Sequence, residues 1–431
     1  MRRALGFAFV AEALTTLCQV VGFKLAFALW GAAGFGEWML ARRLLSFVMP
    51  LATLGLEIAV PRYVALARAG ESSFSAAAIT SAAIRLGLAS AAALYLLMGI
   101  SREVVALAAF GDAARASLVL PTAGLVVAYA LHVLVYAYLR GSSRAAGAGV
   151  IHVGAHGLIP LIVFALRPES PARALALVAW ATIACAISVA TYVLRRDALD
   201  LRTAPPAATR ALVRYGRSRM AAAVGLLLLA TLPAAYSAHA AGVERAGVVA
   251  LGLSLIGIAG TAATPIGVAL LPAAAVHFAR RGSSLLPPLS KVRALAAGMS
   301  ALGAIFAYVV APFVASALFA TTDDQAALTL RLCGIAAGPY FFFCCMRTLV
   351  DAQTARAVNA RVVGFALLVF FAVAAASRLL LGMDPVLVAV GSYVAACFAL
   401  AAGIWRALEP SRAEPEAMRG GNDLSREAPI A

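Results

Sequence analysis

Apolar residues run through this chain in long blocks, separated by short clusters of arginine, proline and acidic residues. Phe7 to Leu29 carries two charges, while Met220 to Gly242 and Val248 to Phe278 carry none. A helix needs about 20 mostly apolar residues to cross a bilayer, so each block is long enough. Inside hydrocarbon every backbone N–H and C=O must be bonded internally, which a helix does within one segment. The blocks lack the strict alternation of barrel strands. The pattern predicts an all-α polytopic membrane protein with about twelve transmembrane helices. The first six fall at Leu5–Trp30, Glu37–Leu66, Ala76–Ile100, Leu118–Arg140, Gly147–Leu166 and Ala174–Leu194. The second six fall at Arg219–Ala240, Gly247–Phe278, Val292–Leu318, Leu328–Val350, Val358–Leu381 and Pro385–Leu408. Met1-Arg2-Arg3 before an apolar run resembles the start of a signal peptide. The run is too long for one, and Phe23-Lys24-Leu25 offers no small-residue cleavage site, so it reads as the first span.

Composition agrees. Of the 431 residues, 63% are hydrophobic and 13% charged, against about 25% charged in a soluble domain. Six cysteines, Cys18, Cys185, Cys333, Cys344, Cys345 and Cys397, all lie in apolar blocks without C-x-x-C spacing, and read as small apolar residues. Only Lys24 and Lys291 among the basic residues are lysine, which with the high alanine content points to a GC-rich bacterial genome.

The net charge of +16 does not form a basic face, so nucleic acid is not an expected partner. The charges are distributed between the loops instead. With twelve spans, 24 basic residues fall on the face that holds both termini and 9 on the other, with Lys24 and Arg85 inside spans. Basic loops stay cytoplasmic, so both termini are expected there, in a bacterial plasma membrane. The longest break between blocks, Arg195 to Arg219, holds seven arginines and Pro205-Pro206. It divides the chain into a six-helix bundle at 1–194, a cytoplasmic linker at 195–218, a second six-helix bundle at 219–408 and a disordered tail at 409–431. Pro61 with Arg62 and Arg68, and Pro272 with Arg280 and Arg281, form a faint echo between the halves. Paired halves with the substrate between them are a common transporter design.

Ionisable residues inside a span are costly and are functional candidates. Lys24, Arg42, Arg43 and Arg85 are read as substrate-binding, lining a cationic cavity in the first half. Snorkelling to the headgroups is the other reading for Lys24, Arg42 and Arg43. Glu12 and Glu57 are candidates for ion coupling, or for structural pairing with Arg85 or Arg62. Arg347 and Asp351, at i and i+4, are expected to pair. His152 and His156 have the i, i+4 spacing of a two-histidine metal site, but no third ligand is evident, so no metal is expected. These two, with His132 and His239, are left with hydrogen-bonding or sugar-contacting roles. Neither a Walker loop nor G-x-G-x-x-G is present, outer loops are short, and no acid–base or nucleophile constellation stands out, so no cofactor and no enzyme activity are expected.

A set of short motifs punctuates the chain. Gly34-Phe35-Gly36-Glu37-Trp38 follows the first span, then Leu54-Gly55-Leu56-Glu57 and Pro61-Arg62-Tyr63. Arg140-Gly141-Ser142-Ser143-Arg144 follows the fourth span, and Arg214-Tyr215-Gly216 precedes the seventh. In this order they resemble the O-antigen group of polysaccharide flippases, in the multidrug/oligosaccharidyl-lipid/polysaccharide (MOP) exporter superfamily. The resemblance spans the whole chain in helix number, linker position and these motifs. It implies a V-shaped pair of six-helix bundles that flips an undecaprenyl-diphosphate-linked oligosaccharide from the inner to the outer leaflet by alternating access, for surface polysaccharide synthesis. Membrane lipids, a polysaccharide polymerase and chain-length proteins are the implied partners. One departure is that Met220 to Ala240 contains no acidic residue, only Tyr236 and His239. The competing expectations are a MATE-type multidrug or cation antiporter of the same superfamily, and a non-transporting membrane scaffold. A peptidoglycan-precursor flippase would have fourteen spans.

Overall fold

The structure is a computed structural model that describes residues 2–199, 204–281, 287–319, 324–353 and 358–408. Among the described residues it is entirely helical, with no strand. The helices are α1 (Arg2–Thr53), α2 (Leu56–Arg68), α3 (Ala76–Ile100), α4 (Arg102–Phe110), α5 (Val119–Gly141), α6 (Ala145–Val153), α7 (Ile159–Ala165) and α8 (Pro171–Arg196). They continue with α9 (Pro206–Ala241), α10 (Val243–Arg281), α11 (Pro287–Phe319), α12 (Asp324–Gln353), α13 (Val358–Leu379) and α14 (Pro385–Ala407). Eleven stretches among the described residues are long and apolar enough to span a bilayer, and the first of these, Phe9–Thr53, is 45 residues long. Gly31 breaks it (φ 66°, ψ −166°) into two apolar helical stretches, which gives twelve among the described residues, the number the apolar blocks predict. The overall architecture is that of an all-helical polytopic membrane protein.

Four details differ from the reading of the sequence. The second span is interrupted at Leu54 and Gly55, both at positive φ, and restarts as α2. The fifth span contains a π-helical turn, Gly154–Leu158, between α6 and α7. The loop read as the longest outer one folds into α4 and a 3₁₀ turn, Ala113–Leu118. Residues 206–218, read as linker, are helical and continuous with the seventh span. The side chains of Pro272, Arg280, Arg281 and Asp351 lie outside the described residues, and with them the echo between the halves and the Arg347–Asp351 pair.

Helices α1, α2, α3, α5, α6, α7 and α8 pack together, and α10 to α14 pack together, with α9 touching both groups. The first turns of α9 bury Ala208 and Leu212 against Leu56, Val60, Val64 and Ile79. At this point Gly216 meets the Leu54–Gly55 break so closely that a Cβ would collide with the Leu54 carbonyl oxygen. Tyr215 packs edge-on against Tyr63 (6.0 Å between centroids), with the Arg62 guanidinium 4.8 Å over its ring. Nearby, a Cβ on Gly141 would lie 2.8 Å from the Pro61 carbonyl oxygen. The short motifs are therefore places where two backbones touch. Lipid tails offer no hydrophobic drive between helices, so close packing of small residues does that work.

The basic end of the first group is tied by Asp197, whose side chain is 7% exposed. Its carboxylate accepts from Arg68 (2.9 Å), Arg144 (2.6 Å) and the Tyr138 hydroxyl. Burial alone would raise the Asp197 pKa, but the bonds from Arg144 and Tyr138 hold it below the ordinary aspartate value. The stabilisation is complete above that ordinary value, about 3.9, and is lost as the pH falls through the lower folded value.

Two expected outcomes follow, both read as Tm in detergent. Gly216→Val drives α9 off the kink and costs about 1–3 kcal/mol, whereas Gly364→Ala, where an added Cβ meets nothing within 4 Å, leaves Tm unchanged or slightly raised. Asp197→Ala lowers stability by about 2–3 kcal/mol at neutral pH, and its deficit against the wild type narrows below about pH 3.9. A deficit that stays constant into acid would contradict the assignment.

Candidate functional site

The two helix groups meet along a seam between α10 and the part of α1 that follows Gly31. At its tip Gly36 and Gly247 lie backbone to backbone: a Cβ on Gly247 would stand 2.6 Å from the Gly36 Cα. Two turns along, the Arg43 guanidinium donates to the Ala250 carbonyl oxygen (3.0 Å) and to the Ser254 hydroxyl of α10. Two further turns along α10, Thr261 lies on the face of Ser254 and is exposed. The Gly31 end is closed by aromatic rings. Phe319 at the end of α11 packs edge-on against Phe27 (5.0 Å) and Phe35 (5.6 Å). Trp30 donates to the Pro168 carbonyl oxygen (2.9 Å), and Trp30, Trp38 and Phe164 pack together around the Gly31 break.

Arg42 points the other way from Arg43. Its guanidinium sits 5.3 Å over the Phe23 ring, inside the first group, within electrostatic range of Tyr129 and His156. Neither Arg42 nor Arg43 has a carboxylate in ion-pair reach among the described residues, and the buried Nε of Arg43 has no hydrogen-bond partner there. Lys24 is exposed, one turn from Phe27 on the first half of α1. Arg85 is exposed on α3, nine residues from its start at the basic end, whereas Arg42 and Arg43 sit nearer the Gly31 end. The structure thus places Arg42 and Arg43 at one level, Arg43 at the seam and Arg42 inside the first group, and Arg85 at a different level. Apolar clefts on the outside of α3, α5 and α8, the larger about 650 Å³ and lined by Leu88, Tyr95, Leu120 and Trp180, contain no charged side chain.

The acidic residues also find distinct places. Glu57 is in the first turn of α2, and its buried Oε2 has no hydrogen-bond partner among the described residues. The Glu12 Oε2 stands 3.4 Å from His152 Nε2. His152 in turn belongs to a cluster. Its ring centroid is 4.7 Å from that of His156 and 6.2 Å from that of His132, and the His132 and His156 rings are 5.2 Å apart. Tyr129 stacks flat on His156 (4.4 Å), and Tyr136 flanks His152 (5.5 Å). The spacing of His152 and His156 showed one helix face. The third histidine comes from α5, which periodicity could not pair with α6. Ser254 was missed as well, being an ordinary small residue in an apolar block.

No protein-family model matches the chain, and no curated protein matches it either. Solved structures do. An inward-facing multidrug resistance MATE family transporter of the MOP superfamily superposes with TM-score 0.77 at 13% identity, over 94% of this chain and 97% of that one. A MOP superfamily transporter from Pyrococcus furiosus, whose binding pocket is described as reversed in polarity and as suggesting a different function, gives 0.69 at 13% over 94% of each. An outward-facing MATE family transporter gives 0.66 at 14%, also over 94% of each. At these identities the likeness establishes the fold, which is that of the MOP transporters.

The Arg43–Ser254 contact is testable by a double-mutant cycle read as Tm. Arg43→Leu and Ser254→Ala should be non-additive, with a coupling of about 1–2 kcal/mol. Strict additivity would show that the bond across the seam carries no stability.

Proposed function

We propose that this chain flips an undecaprenyl-diphosphate-linked oligosaccharide across the bacterial plasma membrane, with its basic-loop end and both termini in the cytoplasm. The bundles at 1–194 and 219–408 rock about the seam. The observation that carries the reading is the uncompensated charge of Arg42 and Arg43. Two guanidinium groups at membrane depth without carboxylate partners among the described residues are expensive. A diphosphate offers acceptors that match their planar fork. In the form described, Arg43 spends its donors on Ala250 and Ser254. Opening of the seam frees them for an anion, while Lys24 and Arg85 extend the cationic path on either side. The higher TM-score against the inward-facing transporter, and the aromatic closure at the Gly31 end, suit a form open towards the cytoplasm. The prenyl tail stays in lipid as the head group crosses. An anion leaving a negative interior moves downhill by about 2.3 kcal/mol per charge per 100 mV. The reading is of a carrier and not of a catalyst.

The second reading is a multidrug or cation antiporter, since the solved likenesses include multidrug transporters. A deletion strain separates the two. Loss of the protein should strand lipid-linked oligosaccharide on the inner leaflet and remove surface polymer. Complementation with Arg43→Gln or Arg85→Ala should restore membrane insertion but slow flipping roughly tenfold to a hundredfold, the worth of one charge-assisted hydrogen bond. Unchanged glycan on both leaflets, with dye accumulating in the deletion strain, would overturn the flippase reading in favour of the antiporter.

A further inference from the structure

The histidine cluster plays no part in the flipping scheme. It lies within the first helix group, on α5 and on the α6–α7 span, with Glu12 of α1 beside it. The ligand nitrogens of His132, His152 and His156 all lie within 4.8 Å of one another. We propose that these three imidazoles bind one divalent first-row transition-metal ion of the Zn²⁺ or Co²⁺ class, with the Glu12 carboxylate either completing the coordination or orienting His152.

Imidazole nitrogen is the ligand type that suits these ions. With Zn–N near 2.0–2.1 Å, tetrahedral ligand atoms stand about 3.4 Å apart, so side-chain adjustments of about an ångström close the site. His132 is 3% exposed, and its ring lies among those of Tyr136, His152 and His156. A π-helical turn, often found at functional sites, runs through Gly154–Leu158 and carries His156. The flat stack of Tyr129 on His156 and the flanking Tyr136 fix the ring planes. The Glu12 oxygen 3.4 Å from His152 Nε2 is placed like the carboxylates that hold a metal-binding histidine in one tautomer. Its negative charge also offsets part of the ion's, and Arg42, the nearby cation, is turned onto Phe23. The ion would clamp α5 to the α6–α7 span and, through Glu12, to α1.

The test uses the full chain in detergent, purified on a tag free of histidine and titrated with Co²⁺. One Co²⁺ per chain is expected, with the intense visible bands of a four-coordinate ion, displaced by equimolar Zn²⁺. His132→Leu should abolish the bands, and Glu12→Gln should weaken binding about tenfold to a hundredfold, with elution volume and helical circular dichroism unchanged. If His132→Leu does not fold, Zn²⁺ protection of the wild-type histidines from diethyl pyrocarbonate reads the same site, and three protected histidines are expected. Sub-stoichiometric binding, the pale spectrum of hexa-aquo Co²⁺, bands that survive His132→Leu, or no protection would overturn the proposal. None of these readings depends on what the protein transports.

Discussion

The contact between Gly36 and Gly247 is the one on which the arrangement depends. Two membrane helices reach this separation only where neither carries a Cβ, because no hydrophobic drive exists between helices in lipid. The approach brings α1 and α10 together at the Gly31 end, and from it the rest of the seam follows. Arg43 comes within reach of the Ala250 carbonyl oxygen and Ser254. Phe319 finds its place against Phe27 and Phe35. Beyond Ser254, Thr261 on the same face of α10 is exposed.

The same principle explains the short motifs. Leu54-Gly55 and Tyr215-Gly216 lie far apart in sequence, yet they are two sides of one contact. Pro61 and Gly141 are two sides of another. Each motif looks weak alone, because what it specifies is a missing side chain at one position and an aromatic or basic neighbour that packs around it. Their order carried the resemblance to the polysaccharide flippases, and the shared fold with MOP transporters is consistent with that order.

The spans were legible because the bilayer imposes them: a segment must be long, apolar and internally bonded. What the sequence hid were features set by tertiary contact. Pro206 to Ser218 looked like linker from its prolines and arginines, but Ala208 and Leu212 find an apolar surface on α2 and α3 and the segment folds as helix. The break at Leu54 and Gly55 was invisible inside a continuous apolar block. The candidate site was half legible. Arg42 and Arg43 stood out as charges at membrane depth, but their opposite aims required the positions of Phe23 and α10. His152 and His156 stood out by spacing, whereas His132 became their neighbour only through the packing of α5. Glu12 drew attention as a charge, and its actual neighbour is a histidine that the one-dimensional reading had set aside.

If the chain carries cargo as proposed, the Gly31 end must open for that cargo to leave. This requirement is tested most directly by locking that end. Phe27→Cys and Phe319→Cys, introduced after replacing the native cysteines, place two thiols where ring centroids stand 5.0 Å apart. In proteoliposomes, a short thiol crosslinker should stop movement of the lipid-linked oligosaccharide between leaflets, and reduction of the link should restore it. Movement that continues unchanged with the two helices bridged would contradict alternating access at this seam.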